Sequence, residues 1–386
     1  MSWPLVKLFE CCEIIMGQAP VGSSYNEKGE GHALIAGAGD FGELTPKPKK
    51  FTTAASKLSK KEDLILCIRA TIGDLNWSND EYCLGRGVAG LRPKANLDKN
   101  YLWYFITANK EQLASKGTGS TFKQVSRVII SDWEIPLPPL DEQKRIAAIL
   151  DKADAIRRKR QQAIKLADDF LRSVFLDMFG DPVTNPKGFP LSILSNFYIN
   201  PKSGTKCGPF GSALKKYEYV EDGVPVWNMD NISLNGKFTD SPRLWITESK
   251  YSDLEAYSVD DGDVIISRAG TVGKMGVVRS KSEHSIISTN LIRVRFGEKL
   301  RPEYFVNLMN YCKGRVGRLK TGPDGAFTHM NTGILDKLEF PYPTIALQDK
   351  FIEIKDKVTS SLEKGEMNEI DDLFNSLSQK AFAGEL

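Results

Sequence analysis

Between Asp141 and Phe179 apolar residues recur at heptad spacing, with Ile146, Ala153, Ala167 and Val174 on one seam and Ile149, Ile156, Ala163 and Phe170 on its companion. That period predicts one long helix packed along another, with Arg160 as a charged interruption of the first seam. Leu150, Ile164, Leu171 and Met178 widen the stripe beyond what a two-stranded seam needs, which predicts a second covered surface. Pro136-Leu137-Pro138-Pro139 imposes an extended entry, Asp141 and Glu142 suit the positive end of the helix dipole, and Gly180-Asp181-Pro182 ends the run. At 1.5 Å per residue such a helix is about 58 Å long.

On either side of this helix the pattern changes to short apolar runs bounded by turn residues. Asp63-Leu64-Ile65-Leu66-Cys67-Ile68-Arg69-Ala70-Thr71-Ile72-Gly73 reads as a strand entering a turn. Its counterpart Asp263-Val264-Ile265-Ile266-Ser267-Arg268-Ala269-Gly270-Thr271-Val272-Gly273 lies 200 positions later. Tyr101 to Ala114 reads as a helix, and Tyr304-Phe305 follows Tyr104-Phe105 at the same interval of 200. Phe189-Pro190-Leu191 echoes Trp3-Pro4-Leu5. The glycine-rich loop Lys116 to Lys123, followed by a strand leading to the prolines, is matched by Thr321 to Met330, with Phe327 in the place of Phe122.

The helix recurs too. Pro341-Tyr342-Pro343 repeats the proline entry, and Gln348, Phe351, Ile354 and Val358 follow it as Gln143, Ile146, Ile149 and Ala153 follow the first. Asp371-Asp372-Leu373 matches Asp168-Asp169-Phe170 at an interval of 203, whereas the helix start gives 205, so the second helix lacks two residues and a kink is expected near Gly365. Repetition in fixed order is the mark of duplication. The fold class expected is α/β: two tandem α/β domains separated by two long helices that pair as an antiparallel coiled coil about a pseudo-twofold axis. The boundaries expected are 1–139, 140–180, 181–343 and 344–386.

Composition narrows the function. A hydrophobic content of 41% and a charged content of 26% are globular values, and a net charge of +3 leaves any nucleic-acid surface to local clusters of Lys and Arg. The cysteines show no metal spacing and only His32, His284 and His329 are present, which argues against a zinc or catalytic-histidine centre and for packed, reduced thiols. No signal peptide and no membrane-length apolar run are seen, so a cytoplasmic protein without a membrane association is expected. Gly37-Ala38-Gly39-Asp40-Phe41-Gly42 has the letters of a dinucleotide loop, but Thr45, Pro46 and Pro48 forbid the helix such a loop must open. Pro323-Asp324 with Glu353-Ile354-Lys355 imitates a nuclease signature, yet Ile354 belongs to an apolar helix seam. An adenine methyltransferase tetrapeptide is absent. Arg157-Arg158-Lys159-Arg160 reads first as a solvated helix face and second as a strip toward phosphates. The polar loops Gly17 to Asn26 and Lys202 to Ser212 mix small, amide, hydroxyl and basic residues, a composition suited to close approach to a groove.

Ile135-Pro136-Leu137-Pro138-Pro139-Leu140-Asp141-Glu142-Gln143-Lys144-Arg145-Ile146 resembles the start of the central conserved helix of the DNA-specificity subunits of type I restriction-modification systems. The ending Leu377 to Leu386 resembles that family's C-terminus. Gly85-Arg86-Gly87 with Gly117 to Phe122 is similar to one type of target-recognition sequence, and Gly208 to Ser212 with Ser288-Thr289-Asn290 to another. The resemblance implies two target-recognition domains, each reading one half of a split site on double-stranded DNA, and no catalysis by this chain. It implies two modification subunits that bind AdoMet and methylate flipped-out adenine, and restriction subunits using ATP and Mg, with no cofactor held here. A stand-alone DNA methyltransferase or nuclease, or a DNA-binding module outside a restriction complex, is the alternative.

Candidate DNA contacts in the first half are Gln18, Ser23, Ser24, Lys47, Lys49, Arg69, Arg86, Lys116, Thr118, Ser120, Thr121 and Lys123. In the second half they are Lys202, Thr205, Lys206, Ser212, Lys215, Arg268, Lys274, Lys320 and Thr328. Candidate subunit contacts are Ile146, Leu150, Ile156, Ile164, Leu171, Phe351, Leu373 and Leu377.

Overall fold

The structure, a computed structural model, describes residues 3–119, 123–210, 213–233, 235–268, 271–312, 330–363 and 367–386. It divides into two compact units, Met1–Gln162 with Glu366–Leu386, and Ala163–Gly365. Each unit takes part of the central helix with it.

In the first unit the strands are β1 (Leu5–Lys7), β2 (Cys12–Met16), β3 (Tyr25–Asn26), β4 (His32–Ile35), β5 (Lys50–Thr52), β6 (Leu64–Cys67), β7 (Leu75–Trp77), β8 (Cys83–Leu84), β9 (Val88–Pro93) and β10 (Glu134–Pro136). The helices are α1 (Leu8–Cys11), α2 (Lys99–Ala108), α3 (Lys110–Ser115), α4 (Arg127–Ser131) and the start of α5 (Leu140–Phe179), joined by the C-terminal helix Met367–Ala383. All four residues of β6 are buried, which requires cover on both faces. Alternation supplies it: Leu64 and Leu66 point into a helical layer with Tyr101, Leu102 and Ile146, while Ile65 points toward Ile35 and Leu84 of a second sheet, in a cluster that Val88 of β9 also joins. The sheets run β2-β9-β6-β7 and β3-β5-β4-β8, with β4 and β8 parallel.

The second unit repeats the plan with β11 (Leu191–Ile193), β12 (Thr205–Cys207), β13 (Val224–Trp227), β14 (Trp245–Ile246), β15 (Val264–Ser267), β16 (Met275–Val277), β17 (Ile286–Ile287), β18 (Leu291–Val294) and β19 (Glu339–Pro341). Its helices are the end of α5, α6 (Glu248–Leu254), α7 (Pro302–Cys312), α8 (Thr332–Asp336) and α9 (Ile345–Glu363). The sheet order β12-β18-β15-β16 mirrors β2-β9-β6-β7, and β13 runs parallel to β17 as β4 does to β8. Val264 and Ile266 face the helical layer, while Ile265 faces Trp227 and Ile287.

The same polar locks recur. Asp63, 2% exposed, receives Arg92 through Nε at 2.8 Å and Nη2 at 2.8 Å. Asp263, 3% exposed, receives Arg295 at 2.9 and 2.7 Å. Gln143 is fully buried: its Oε1 accepts Asp98 N–H at 2.8 Å, and its Nε2 donates to Asn96 O and Pro138 O at 3.0 and 2.8 Å. Gln348 accepts Arg301 N–H at 2.9 Å and donates to Pro343 O at 3.0 Å. Each glutamine thus pins a proline entry and helix start to the loop before the domain's α-helix.

Three details differ from the sequence reading. Tyr101 Oη donates to Pro136 O, and Tyr304 Oη to Pro341 O, so Tyr304 is the counterpart of Tyr101 and not of Tyr104; three extra residues precede β18. The expected helix Tyr101 to Ala114 is two, α2 and α3, because Asn109 leaves helical geometry and its side chain bonds back to Phe105 O at 2.9 Å. Between the glycine-rich loop and the prolines lies helix α4, capped by Ser126 on Ile129 N–H, before the short β10. The expected kink at Gly365 lies outside the described residues; α9 ends at Glu363 and the next helix starts at Met367.

The long-helix contacts run in opposite chain order. Early α5 residues Ile146, Ala147 and Leu150 share a core with Phe374 and Ala381, whereas Phe175 and Phe179 near its end pack on Phe351 at ring distances of 5.4 and 5.6 Å. Antiparallel helices require that order.

Candidate nucleic-acid interface

In the first unit the loops after β2, β4, β6 and β8 meet because their backbones bond to one another. Gly17 N–H donates to Val88 O at 3.0 Å, Gln18 N–H to Leu84 O at 2.8 Å, Gly85 N–H to Ile35 O at 2.8 Å and Ile68 N–H to Gly87 O at 2.9 Å. A side chain on Gly17 would overlap Gly85 O and Val88 O, so only glycine lets these loops close. Ala70 turns the chain after β6 at φ 59°, a left-handed conformation that a residue with a side chain seldom adopts.

The junction encloses a cavity of about 440 Å³ lined by Ala19, Tyr25, Leu34, Ala36–Gly39, Arg69–Thr71 and Gly85–Gly87. No lining residue is acidic, so Arg69 and Arg86 set its potential. Arg69 Nε is enclosed yet has no hydrogen-bond partner among the described residues, whereas Arg86 is exposed. The Gly37–Gly42 stretch is a short 3-10 turn over Ala38–Asp40: Asp40 Oδ2 accepts Ala36 N–H at 2.8 Å, and Phe41 is extended and bridged to Pro46, so no α-helix opens there.

The second unit builds the corresponding junction with other side chains. Gly208 N–H donates to Leu291 O at 2.9 Å, Ser288 N–H to Trp227 O at 2.8 Å and Arg268 N–H to Asn290 O at 2.9 Å. Ser288, Thr289 and Asn290 therefore stand where Gly85, Arg86 and Gly87 stand in the first unit, and Phe210 stands where Ala19 does. The Arg268 guanidinium lies 4.7 Å from the ring centre of Phe210, which is 58% exposed. Arg293, buried behind this loop, holds Ser203 O and Ser258 O at 3.1 and 2.6 Å, and burial lowers its pKa from the ordinary arginine value.

The candidates distribute unevenly. Gln18, Ser23, Lys47, Lys49, Arg86, Lys116, Thr118, Lys123, Lys202 and Lys215 are exposed; Ser24, Arg69, Thr205, Lys206, Arg268 and Lys274 are half-buried. Ser24 is already engaged, donating to Val21 O at 2.6 Å and paired with the Thr52 hydroxyl at 2.7 Å. Lys274 Nζ donates to Met229 O at 2.9 Å, and Lys206 Nζ sits 5.0 Å over Tyr257. Ser120, Thr121, Ser212, Lys320 and Thr328 lie outside the described residues, as does Pro323-Asp324. Among the described candidates only Arg69 and Arg86 line the cavity. Tyr25 and Phe210 were missed; an aromatic ending a Gly/Ser-rich loop was the available signal.

The expected subunit contacts divide by burial. Ile146, Leu150 and Phe351 are 1, 0 and 0% exposed, spent on the cores of their own units with residues of α2 and α7, and Leu171 is 8% exposed. Ile164 and Leu377 are half-buried. Ile156 and Leu373, at 59 and 65% exposed, remain open to a partner. Arg157 lies 4.5 Å over Phe374 and bonds Asp154 at 2.6 Å, and Arg158 bonds the same carboxylate; this pair is tied to its own helix. Among the described residues no helix is long and apolar enough to cross a membrane and no cluster of metal-type ligands occurs.

A profile described as type I restriction modification DNA specificity domain matches residues 2–166 and 209–372. The MjaVIII specificity subunit of Methanocaldococcus jannaschii is 23% identical over 386 residues, 94% of this chain and 90% of that protein. The MjaX specificity subunit of the same organism is 35% identical over 181 residues, 45% of this chain, a match spanning only 43% of that relative. In fold, the chain is similar to a crystal structure of a type I restriction-modification S subunit from M. genitalium, with TM-score 0.59 at 16% identity, covering 99% of this chain and 96% of that one.

Proposed function

The chain belongs to the type I restriction-modification DNA specificity family, and from that premise we propose that it reads a split site on double-stranded DNA, each unit contacting one half, and does no chemistry itself. The observation that carries this reading is the duplicated loop junction: the same backbone bonds present Arg69 and Arg86 in one unit and Arg268 and Phe210 in the other. One scaffold with two side-chain sets suits two half-sites of different sequence. Two modification subunits supply AdoMet and the methyl transfer, and restriction subunits supply ATP- and Mg-dependent cleavage; Ile156 and Leu373 are among the exposed apolar positions the long helices offer them, with Leu166 and Phe170. The complex works in the cytoplasm.

A stand-alone methyltransferase or nuclease would need an AdoMet loop or a metal site. The Gly37 turn is a 3-10 segment of 3 residues that opens no α-helix to receive a phosphate or a carboxylate, which supports the non-catalytic reading. The test is to map methylated adenines in cells with and without the gene. Two-part sites that lose methylation on deletion are expected; AdoMet-dependent methylation by the purified chain alone overturns the proposal.

A further inference from the structure

We propose that the cavity of the first unit is a guanine-reading subsite in which Arg69 is the specificity-determining residue and Arg86 guards the mouth. The inference rests on the DNA-reading function above and assigns it a base. Arg69 is half-buried, and its Nε is enclosed with no hydrogen-bond partner among the described residues. An enclosed, unbonded guanidinium nitrogen is costly unless a ligand takes it up. Apart from Arg86, the rest of the wall is glycine and alanine with Tyr25, Leu34 and Thr71, a neutral and largely apolar surface with room for a flat group.

A phosphate is met by exposed flexible cations and gains nothing from apolar walls. A base edge entering a concave site does. Of the major-groove edges, guanine alone places two acceptors, N7 and O6, at the separation of a guanidinium fork; adenine and cytosine put an amino donor against it, and thymine has one acceptor beside a methyl. In the second unit, Thr289 stands in the place of Arg86 and Phe210 in the place of Ala19, so the guanine-reading assignment concerns the first half-site.

The experiment is selection of randomised DNA duplexes on the full chain, comparing wild type with Arg69→Gln, Arg69→Lys, Arg86→Gln and Gly37→Leu. Gly37 lines the cavity, has an extended backbone and has no atom within 4 Å of an added Cβ, so leucine there adds bulk at the cavity wall without a Cβ clash. Arg69→Gln and Arg69→Lys are both expected to lose the preference for guanine at one position by about 5- to 140-fold, with the other positions kept. Lysine keeps the charge but not the fork. Gly37→Leu is expected to erase the first block and spare the second, and Arg86→Gln to weaken the same guanine less. Retained guanine preference in Arg69→Lys, or uniform weakening of all sequences, makes Arg69 a phosphate contact and overturns the proposal. So does an unchanged motif in Arg69→Gln, or an intact first block in Arg86→Gln and Gly37→Leu if the Arg69 variants unfold. A wild-type chain that enriches no motif counts against DNA reading itself.

Discussion

Gln143→Leu isolates what joins the central helix to the first domain. Leucine is apolar and somewhat bulkier than glutamine, so the change removes polar contacts without opening a cavity. Three bonds disappear: from Asp98 N–H, and to Asn96 O and Pro138 O. Gln143 is 0% exposed, so water does not readily replace them. A buried donor left alone costs about 1–3 kcal/mol, and two carbonyls with a second lone pair cost less each, giving a loss of about 2–4 kcal/mol. Gln348→Leu removes two such bonds and should cost less, about 1–3 kcal/mol. Urea unfolding followed by tryptophan fluorescence measures both, and hydrogen exchange at Asp98 N–H locates the damage. A loss under about 0.5 kcal/mol for Gln143→Leu, or a larger loss for Gln348→Leu, would refute this account of the helix entry.

Gly17→Ala should force the first junction apart, because its Cβ meets Gly85 O and Val88 O; about 1–3 kcal/mol of overpacking and loss of the first DNA block only are expected in unfolding and duplex selection. Gly208→Ala, pressed against Ser288 O, should do the same to the second block. Arg157→Gln should lower stability by about 1 kcal/mol through its lost Asp154 bond and Phe374 stacking, leaving the salt dependence of DNA affinity unchanged; a flatter salt slope would instead place it on phosphate. Burial raises the Cys11 thiol to about 11, so only near that pH does its thiolate form, and at pH 8 about one molecule in a thousand carries it. Alkylation at pH 8 followed by mass spectrometry should therefore label half-buried Cys207 in the native chain and Cys11 only after unfolding.

The duplication was legible because its anchors are polar residues in buried places. Asp63 and Asp263, and Gln143 and Gln348, stand out in apolar surroundings, and the structure gives each the same bonds in both units. The helical repeat was less legible: a heptad pattern fits Ile146, Ala153 and Ile156 alike, but α2 and the C-terminal helix bury Ile146 and leave Ile156 exposed. Tyr104-Phe105 attracted the match to Tyr304-Phe305 because identical letters outweigh an unseen insertion; only the bond from each tyrosine to a proline carbonyl identifies Tyr101. The Arg69 cavity could not be read from spacing, since its walls come from four loops brought together by backbone bonds that carry no side-chain signature.

The central claim is that two similar units read two separate pieces of DNA. Selection of randomised duplexes on the full chain, repeated with Gly17→Ala and with Gly208→Ala, tests it most directly. The account predicts two conserved blocks separated by a fixed run of undetermined bases, the first lost in Gly17→Ala and the second in Gly208→Ala. A single uninterrupted block, or two blocks lost together in either variant, would contradict it.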